Sequence, residues 1–174
     1  LTSNHPAGTI HRQIYRQRSF GEAAVFSLNA NLFQNTLFIV DAASMIANET
    51  AGDTTFGSGR LLDDLIEYVY SGKNCRLMLI GDQAQLPPVG LDESPALSSY
   101  YLEGYGLDVT TADMTEVVRQ AESSGILFNA TIIRQMATRN HDLRMPKITL
   151  KGLADIVNLE GYELIESIEQ SYRN

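Results

Sequence analysis

Two short apolar runs stand out along the chain because polar residues flank each of them. Residues 37–40 read LFIV and residues 76–80 read RLMLI, which is typical of strands in a parallel sheet covered on both faces. Between these runs lies a helical pattern with one apolar and one acidic face. The apolar face comprises Leu61, Leu62, Leu65, Ile66 and Val69, and the acidic face comprises Asp63, Asp64 and Glu67. The pattern therefore predicts a strand, a helix and a second strand, the βαβ unit of an α/β fold.

Apolar residues also recur at helical spacing near residues 122–138 and 161–172, so we expect a helix in each range. The first range carries a stripe formed by Ile126, Ala130, Ile133 and Ala137. The second range carries an apolar face that we expect to point inward, formed by Leu164, Ile165, Ile168 and Tyr172. Residues 22–34 could form a pair of strands.

Each apolar strand delivers an aspartate at its carboxyl end. Asp41 follows the first strand, and Asp82 follows the second strand. In parallel sheets, ligands bind beyond the carboxyl ends of the strands. Gln85 comes next, on a turn made rigid by Pro87 and Pro88, where its amide could contact a phosphate oxygen or an attacking water. The residues alone also allow a buried strand followed by an ordinary turn, so both interpretations stay open at this point.

Charge and composition narrow the possible classes of protein. The chain has 13 basic and 21 acidic side chains, a net charge of −8, which argues against a simple basic nucleic-acid-binding module. A local basic strip remains at residues 11–18, HRQIYRQR. No apolar stretch approaches the roughly 18 residues of a membrane span, and the first residues lack the pattern of a signal peptide. With Cys75 as the single cysteine, we expect a cytoplasmic protein without a membrane partner.

Four blocks, in the right order, resemble superfamily 1 DNA helicases of the RecD-like, 5′-to-3′ branch, of the exodeoxyribonuclease V alpha type. They are GTIHRQIY at 8–15, VDAAS at 40–44, GDQAQLPPV at 81–89 and TEVVRQAESSGIL at 115–127. The family motifs that they match are T-I-H, D-E-A-S, G-D-x-x-Q-L-P-P-V and an R-Q block. The resemblance implies an α/β fold, a partial RecA-like domain of the P-loop NTPase type with a mainly parallel sheet flanked by helices.

The resemblance also implies roles for residues near the strand ends, with ATP and Mg²⁺ as cofactors. Asp41 would hold the Mg²⁺ of Mg-ATP, and Gln85 would sense the γ-phosphate and couple it to DNA. Arg119 would act as an arginine finger that stabilises charge developing on the transferred phosphoryl group. Asp82 would accept a hydrogen bond near the nucleotide or simply form the turn.

The T-I-H block implies single-stranded DNA as a partner. Thr9 and His11 could donate hydrogen bonds to phosphates without reading the base sequence. Arg12 could add positive charge to the same contact. Tyr15 could stack on a base or could simply pack against the rest of the protein, and the residues leave both possibilities open.

Two departures from the family pattern limit what these residues could do by themselves. The phosphate-binding loop G-x-x-x-x-G-K-[ST] is absent, because no Gly-Lys-Ser or Gly-Lys-Thr occurs in the chain. Ala42 stands where the family has the glutamate that activates the attacking water. A general base contributes roughly 10²- to 10⁴-fold, so a parent protein with Ala42 would hydrolyse ATP slowly. Because the chain lacks the phosphate-binding loop, we expect the isolated chain to be inactive.

These features lead to an expected domain organisation and to three hypotheses. Residues 1–138 would be the C-terminal part of a first RecA-like motor domain, and residues 139–174 a linker and the start of a following segment. The first hypothesis is a fragment of an ATP-dependent DNA helicase, completed in its parent by an upstream phosphate-loop segment and a second motor domain. The second is a non-catalytic, helicase-derived module that binds DNA or a protein. The third, an unrelated α/β nucleotide-binding protein, does not explain the Q-L-P-P and R-Q blocks together.

Overall fold

The computed structural model groups the chain into two compact units, Leu1–Ala112 and Asp113–Asn174. The residues that the structure describes are 7–18, 25–49, 55–116, 124–138 and 145–173. The expected motor-domain boundary after residue 138 stays a prediction, although contacts group the helix before that residue with the segment after it. Among the described residues, no helix has the length and apolar character needed to cross a membrane.

The first unit has strands and helices in the mixed order expected of an α/β protein. Its described elements are α1 (Ile10–Ile14), β1 (Tyr15–Gln17), β2 (Phe26–Leu28), β3 (Leu37–Val40), α2 (Leu61–Ser71), β4 (Arg76–Leu79) and α3 (Ser99–Glu103), with short 3₁₀ turns at Ala43–Met45 and Pro95–Leu97. Strands β3 and β4 pair in parallel, with Leu37 opposite Arg76 and Val40 opposite Leu79. The predicted strand, helix and strand are therefore confirmed.

The predicted strand pair within residues 22–34 is only half right. Strand β2 lies in that range, but it pairs in antiparallel fashion with β1, where Tyr15 is opposite Leu28. The described residues thus form two separate two-stranded sheets, one antiparallel and one parallel. Within the described ranges, parallel pairing of strands is confined to β3 and β4.

The core of the first unit lies between α2 and one face of the β3–β4 pair. The apolar face of α2 is buried as predicted, at Leu62, Leu65, Ile66 and Val69. The strand residues that pack against this core are Phe38, Val40, Leu77 and Leu79. Burying one such side chain fully contributes roughly 1.5–3 kcal/mol, so this face is the main source of stability for the unit.

The acidic face predicted for α2 is wrong at Asp64. Its side chain is only 4% exposed, because Asp64 Oδ2 accepts hydrogen bonds from the Tyr15 hydroxyl at 2.6 Å and from the Ser58 backbone N–H at 3.0 Å. A buried carboxylate needs such partners to offset its lost hydration. Glu67, in contrast, is exposed as predicted.

The expectation that both faces of the parallel sheet are covered is not met by the described residues. Side chains alternate between the two faces of a strand, and α2 covers only one face of the β3–β4 pair. Four apolar side chains on the other face are between 40% and 61% exposed: Leu37, Ile39, Met78 and Ile80.

The second unit contains the two predicted helices, α4 (Gly125–Thr138) and α5 (Leu164–Arg173). The prediction that the apolar face of α5 points inward is wrong, because no residue of this helix is buried. Leu164 is 49% exposed and Tyr172 is 93% exposed, and Ile165 and Ile168 lie between them. Helical periodicity predicted the helix correctly, but it does not determine what packs against the apolar face.

Hydrogen bonds to the carboxylate of Asp155 fix the start of α4. Asp155 accepts from the Ser124 hydroxyl and from the Gly125 N–H, each at 2.7 Å, and from the Ile126 N–H at 3.4 Å. The bond from Ser124 and then the bond from Gly125 hold the pKa of Asp155 below its usual value. A carboxylate at this position satisfies N–H groups that have no partner within the helix.

Candidate functional site

The carboxyl end of β3 and the turn after β4 lie at the same edge of the parallel sheet. The Ile80 N–H donates to the Val40 carbonyl at 2.8 Å, and the Ala43 N–H donates to the Ile80 carbonyl at 2.9 Å. Asp41 therefore follows β3 beside the segment that leads from β4 to Asp82. Asp41 is exposed and Asp82 is half-buried. The structure brings these two predicted residues to one edge, as the spacing predicts.

Ala42 adopts a backbone conformation that is unusual for a residue with a Cβ. Its φ is 55° and its ψ is 37°, in the left-handed region. This conformation costs roughly 1–2 kcal/mol for an ordinary residue. Hydrogen bonds hold it, since the Ala42 N–H donates to Asp41 Oδ1 at 2.9 Å and the Met45 N–H donates to the Ala42 carbonyl at 3.2 Å. Local backbone strain of this kind is concentrated at functional sites.

Gly81 lets two segments approach closely at this edge. A Cβ on Gly81 would lie 2.9 Å from the backbone nitrogen of Ser44 and 2.8 Å from Leu97 Cδ1. Any side chain at position 81 would therefore push the β4 end away from the turn that carries Asp41. The close approach of these two segments explains why a glycine stands at the first position of the G-D motif.

Asp82 forms the turn that presents Gln85. Its Oδ1 accepts from the Ala84 N–H at 2.9 Å, and its carbonyl accepts from the Gln85 N–H at 3.0 Å. These bonds give Asp82 a part in the turn, and its predicted role near the nucleotide stays a prediction. Gln85 is exposed, and the buried Pro88 anchors the far side of the turn. The glutamine amide is thus accessible at the edge that also carries Asp41.

Asp41 is the residue predicted to bind Mg²⁺, and this role stays a prediction. No group of three or more His, Cys, Asp or Glu residues that could hold a metal occurs in the described part of the chain. Mg²⁺ is typically bound by one or two carboxylates together with substrate phosphates and water, so Asp41 fits that mode. Arg119 lies outside the described residues.

The three residues predicted to contact DNA lie together at the start of α1. Thr9 caps the helix, where its hydroxyl accepts from the Arg12 N–H at 3.3 Å. Thr9, His11 and Arg12 are all exposed. Tyr15, in contrast, is buried, which supports packing and not base stacking for this side chain.

Sequence reasoning missed the contacts of Tyr15 that tie β1 to α2. Besides donating to the buried Asp64, Tyr15 packs its ring against those of His11 and Phe56. Burial, followed by the hydrogen bond to Asp64 and the charge of Asp64, raises the pKa of Tyr15. The partners are 49 residues apart in sequence, so no local pattern could have revealed the pair.

A second polar network joins α2 to α3. Asn48 Nδ2 donates to Asp63 Oδ1 at 2.7 Å and to the hydroxyl oxygens of Tyr101 and Tyr105 at 3.0 and 3.1 Å. The Tyr105 hydroxyl also donates to Asp63. Burial raises the pKa of Asp63, but hydrogen bonds from Tyr105, Asn48 and Arg60 outweigh this effect and hold the pKa below its usual value. The network attaches Asn48, which follows the turn after Asp41, to α2.

Comparison of the chain with protein-family models, with curated proteins and with solved structures gave no match.

Proposed function

We propose that these residues form part of the motor of an ATP-dependent DNA helicase, a cytoplasmic protein of the RecD-like type with a RecA-like fold. The observation that carries the proposal is the shared edge of the parallel sheet, where the strand that ends at Asp41 meets the turn that presents Gln85. Two hydrogen bonds join these segments, from Ile80 to Val40 and from Ala43 to Ile80. Ligand sites in such sheets lie at the carboxyl edge.

The residues at this edge have separate roles in the proposed motor. Asp41 holds the Mg²⁺ of Mg-ATP, and the metal neutralises charge on the phosphates when bound. Gln85 contacts the γ-phosphate or the attacking water from its exposed turn. Arg119 supplies positive charge to the transferred group. The phosphate-binding loop has to come from outside these residues, because the chain has no Gly-Lys-Ser or Gly-Lys-Thr.

In the same proposal, the α1 residues contact single-stranded DNA. Thr9, His11 and Arg12 are exposed on one short helix and present a hydroxyl, an imidazole and a guanidinium. These groups bind the phosphate backbone and position the strand without selecting a base sequence.

A second candidate function is a helicase-derived module that binds DNA or a protein without hydrolysing ATP. Ala42 favours it, because a methyl group can neither accept a proton nor orient a water. The left-handed backbone at Ala42 nevertheless keeps the corner in a strained geometry, and Asp41 remains available for metal binding.

DNA-stimulated ATP hydrolysis by the complete encoded protein, with Ala42 and with Ala42→Glu, distinguishes the two functions. The helicase proposal expects Ala42→Glu to raise the turnover rate about 10²-fold or more, because the glutamate restores a general base. The double variant Ala42→Glu/Asp41→Asn is the control and should be inactive. Absence of DNA-stimulated turnover in Ala42→Glu would instead favour the non-catalytic module.

A further inference from the structure

Four aromatic rings cluster where α1 meets the segment that leads into α2. This ring cluster consists of His11, Tyr15, Phe26 and Phe56. Phe56 is at its centre, stacked on Phe26 with ring centroids 4.6 Å apart and nearly perpendicular to the His11 ring, whose centroid is 5.1 Å away. Tyr15 is buried and Phe26 is half-buried, whereas His11 is exposed and Phe56 is 36% exposed. Two of the rings therefore anchor the cluster, and the other two are accessible to a ligand.

The backbone around Phe56 is held on both sides. The Phe26 N–H donates to the Thr55 carbonyl at 3.0 Å, and the Gly57 N–H donates to the Phe26 carbonyl at 2.8 Å. Gly57 has a φ of 50°, and a Cβ there would lie 2.6 Å from Tyr15 Cε1. The next residue, Ser58, donates its N–H to the buried Asp64. The ring of Phe56 is thus in place before any ligand arrives, which lowers the entropy lost on binding.

The short helix that carries His11 also carries an exposed cation, Arg12. Arg12 follows His11 on α1, is exposed, and makes no ion pair with any described residue. Arg16 is placed differently, because side chains alternate along β1 and Arg16 is opposite Ser27, on the other face from Tyr15. An aromatic ring held in place, packed against a helix that carries an exposed guanidinium, suits a nucleobase together with its phosphate.

We propose that Phe56, with His11 packed against it, is a stacking site for one base of single-stranded DNA. This proposal rests on the DNA-binding function proposed above and adds a contact to the bases that Thr9, His11 and Arg12 do not supply. Every base has a π-face, so stacking on Phe56 accepts any sequence. Arg12 binds the adjoining phosphate.

Two probes separate stacking from phosphate contacts. One is a fluorescein-labelled oligothymidylate of about 12 nucleotides, and the other is an abasic strand with the same number of phosphates. Fluorescence anisotropy at low salt gives the affinity of the 174-residue chain for each probe. The variants are Phe56→Leu, which removes the ring, and Phe56→Tyr, which keeps it. Tyr70→Leu is the matched control, because Tyr70 is an aromatic residue on α2 with a comparable exposure of 43%.

The native chain should bind the oligothymidylate more tightly than the abasic strand. Phe56→Leu should weaken oligothymidylate binding about tenfold and leave the abasic strand unchanged, whereas Phe56→Tyr and Tyr70→Leu should match the native chain. Unchanged oligothymidylate binding in Phe56→Leu, or an equal loss on both probes, would overturn the stacking site and leave the DNA-binding function intact. If the native chain binds neither probe, the DNA-binding function fails and the stacking site fails with it. Circular dichroism of each variant checks that the fold is retained.

Discussion

Each of the two compact units is stabilised internally by a different kind of contact. In the first unit, α2 buries an apolar face against one side of the β3–β4 pair. In the second unit, the buried residues among those described are polar or glycine: Ser124, Gly125 and Asn129. Asn129 exchanges hydrogen bonds with the backbone of Thr149 at 2.7 and 2.9 Å, and Asp155 caps α4.

This difference shows what an amphipathic pattern does and does not establish. The patterns of α2 and α5 are both clearly helical, and both helices are present. Of these two helices, α2 has a sheet to pack against within its own unit, whereas the described residues of the second unit form no sheet. The hydrophobic effect depends on the apolar area removed from water, so α2 is a main source of stability and α5 is not.

The largest expected difference between the units is in the free energy of unfolding lost when one leucine of α2 or of α5 is replaced by alanine. Leu62 is fully buried, whereas Leu164 is 49% exposed. Leu62→Ala should lower the free energy of unfolding of the first unit by about 2–5 kcal/mol, because it removes contacts and leaves a cavity. The matched change Leu164→Ala should cost about 1 kcal/mol or less. Urea unfolding, combined with hydrogen exchange resolved by peptide, measures both values, and equal losses would remove the distinction between the units.

The stability of the second unit should instead be sensitive to substitution of Gly125, where the backbone packs closely. A Cβ on Gly125 would lie 2.7 Å from Leu153 Cβ and 2.9 Å from Asp155 Oδ1. Gly125→Ala should therefore destabilise this unit by about 1–3 kcal/mol, since the neighbours have to move. Gly161→Ala is the control within the same unit, because nothing lies within 4 Å of a Cβ at that position. Hydrogen exchange of the α4 amides reports the effect, and equal protection in both variants would contradict it.

A smaller effect should appear in the first unit at alkaline pH. The pKa values of Tyr15 and Tyr105 are raised above the ordinary value of 10.0, first by burial and then by their aspartate partners. The folded state thus favours the neutral phenols, and their contribution is complete below pH 10 and decreases as the pH rises above it. Stability of the first unit should fall by about 1 kcal/mol between about pH 9 and pH 11. Urea midpoints measure this loss, and Tyr15→Phe should reduce it; a midpoint independent of pH would contradict the assignment.

Local patterns were enough to predict some features and not others. The β3 and β4 strands, α2 and the placement of Asp41 and Asp82 at one edge follow from apolar runs and their spacing. The burial of Asp64 does not, because its partner Tyr15 lies 49 residues away. The left-handed conformation of Ala42 does not follow from the sequence either, because alanine has no preference for it. The open face of the parallel sheet shows that an apolar strand predicts a sheet but not the number of layers around it.

The most direct test of the proposed nucleotide site separates ATP binding from ATP hydrolysis. Isothermal titration of Mg-ATP into the complete encoded protein should give the same affinity for Ala42 and for Ala42→Glu, because position 42 acts on the water and not on the metal. Asp41→Asn should weaken binding about tenfold or more, and only when Mg²⁺ is present, because the carboxylate binds the metal. An Asp41→Asn protein that binds Mg-ATP as tightly as the native protein would contradict the account.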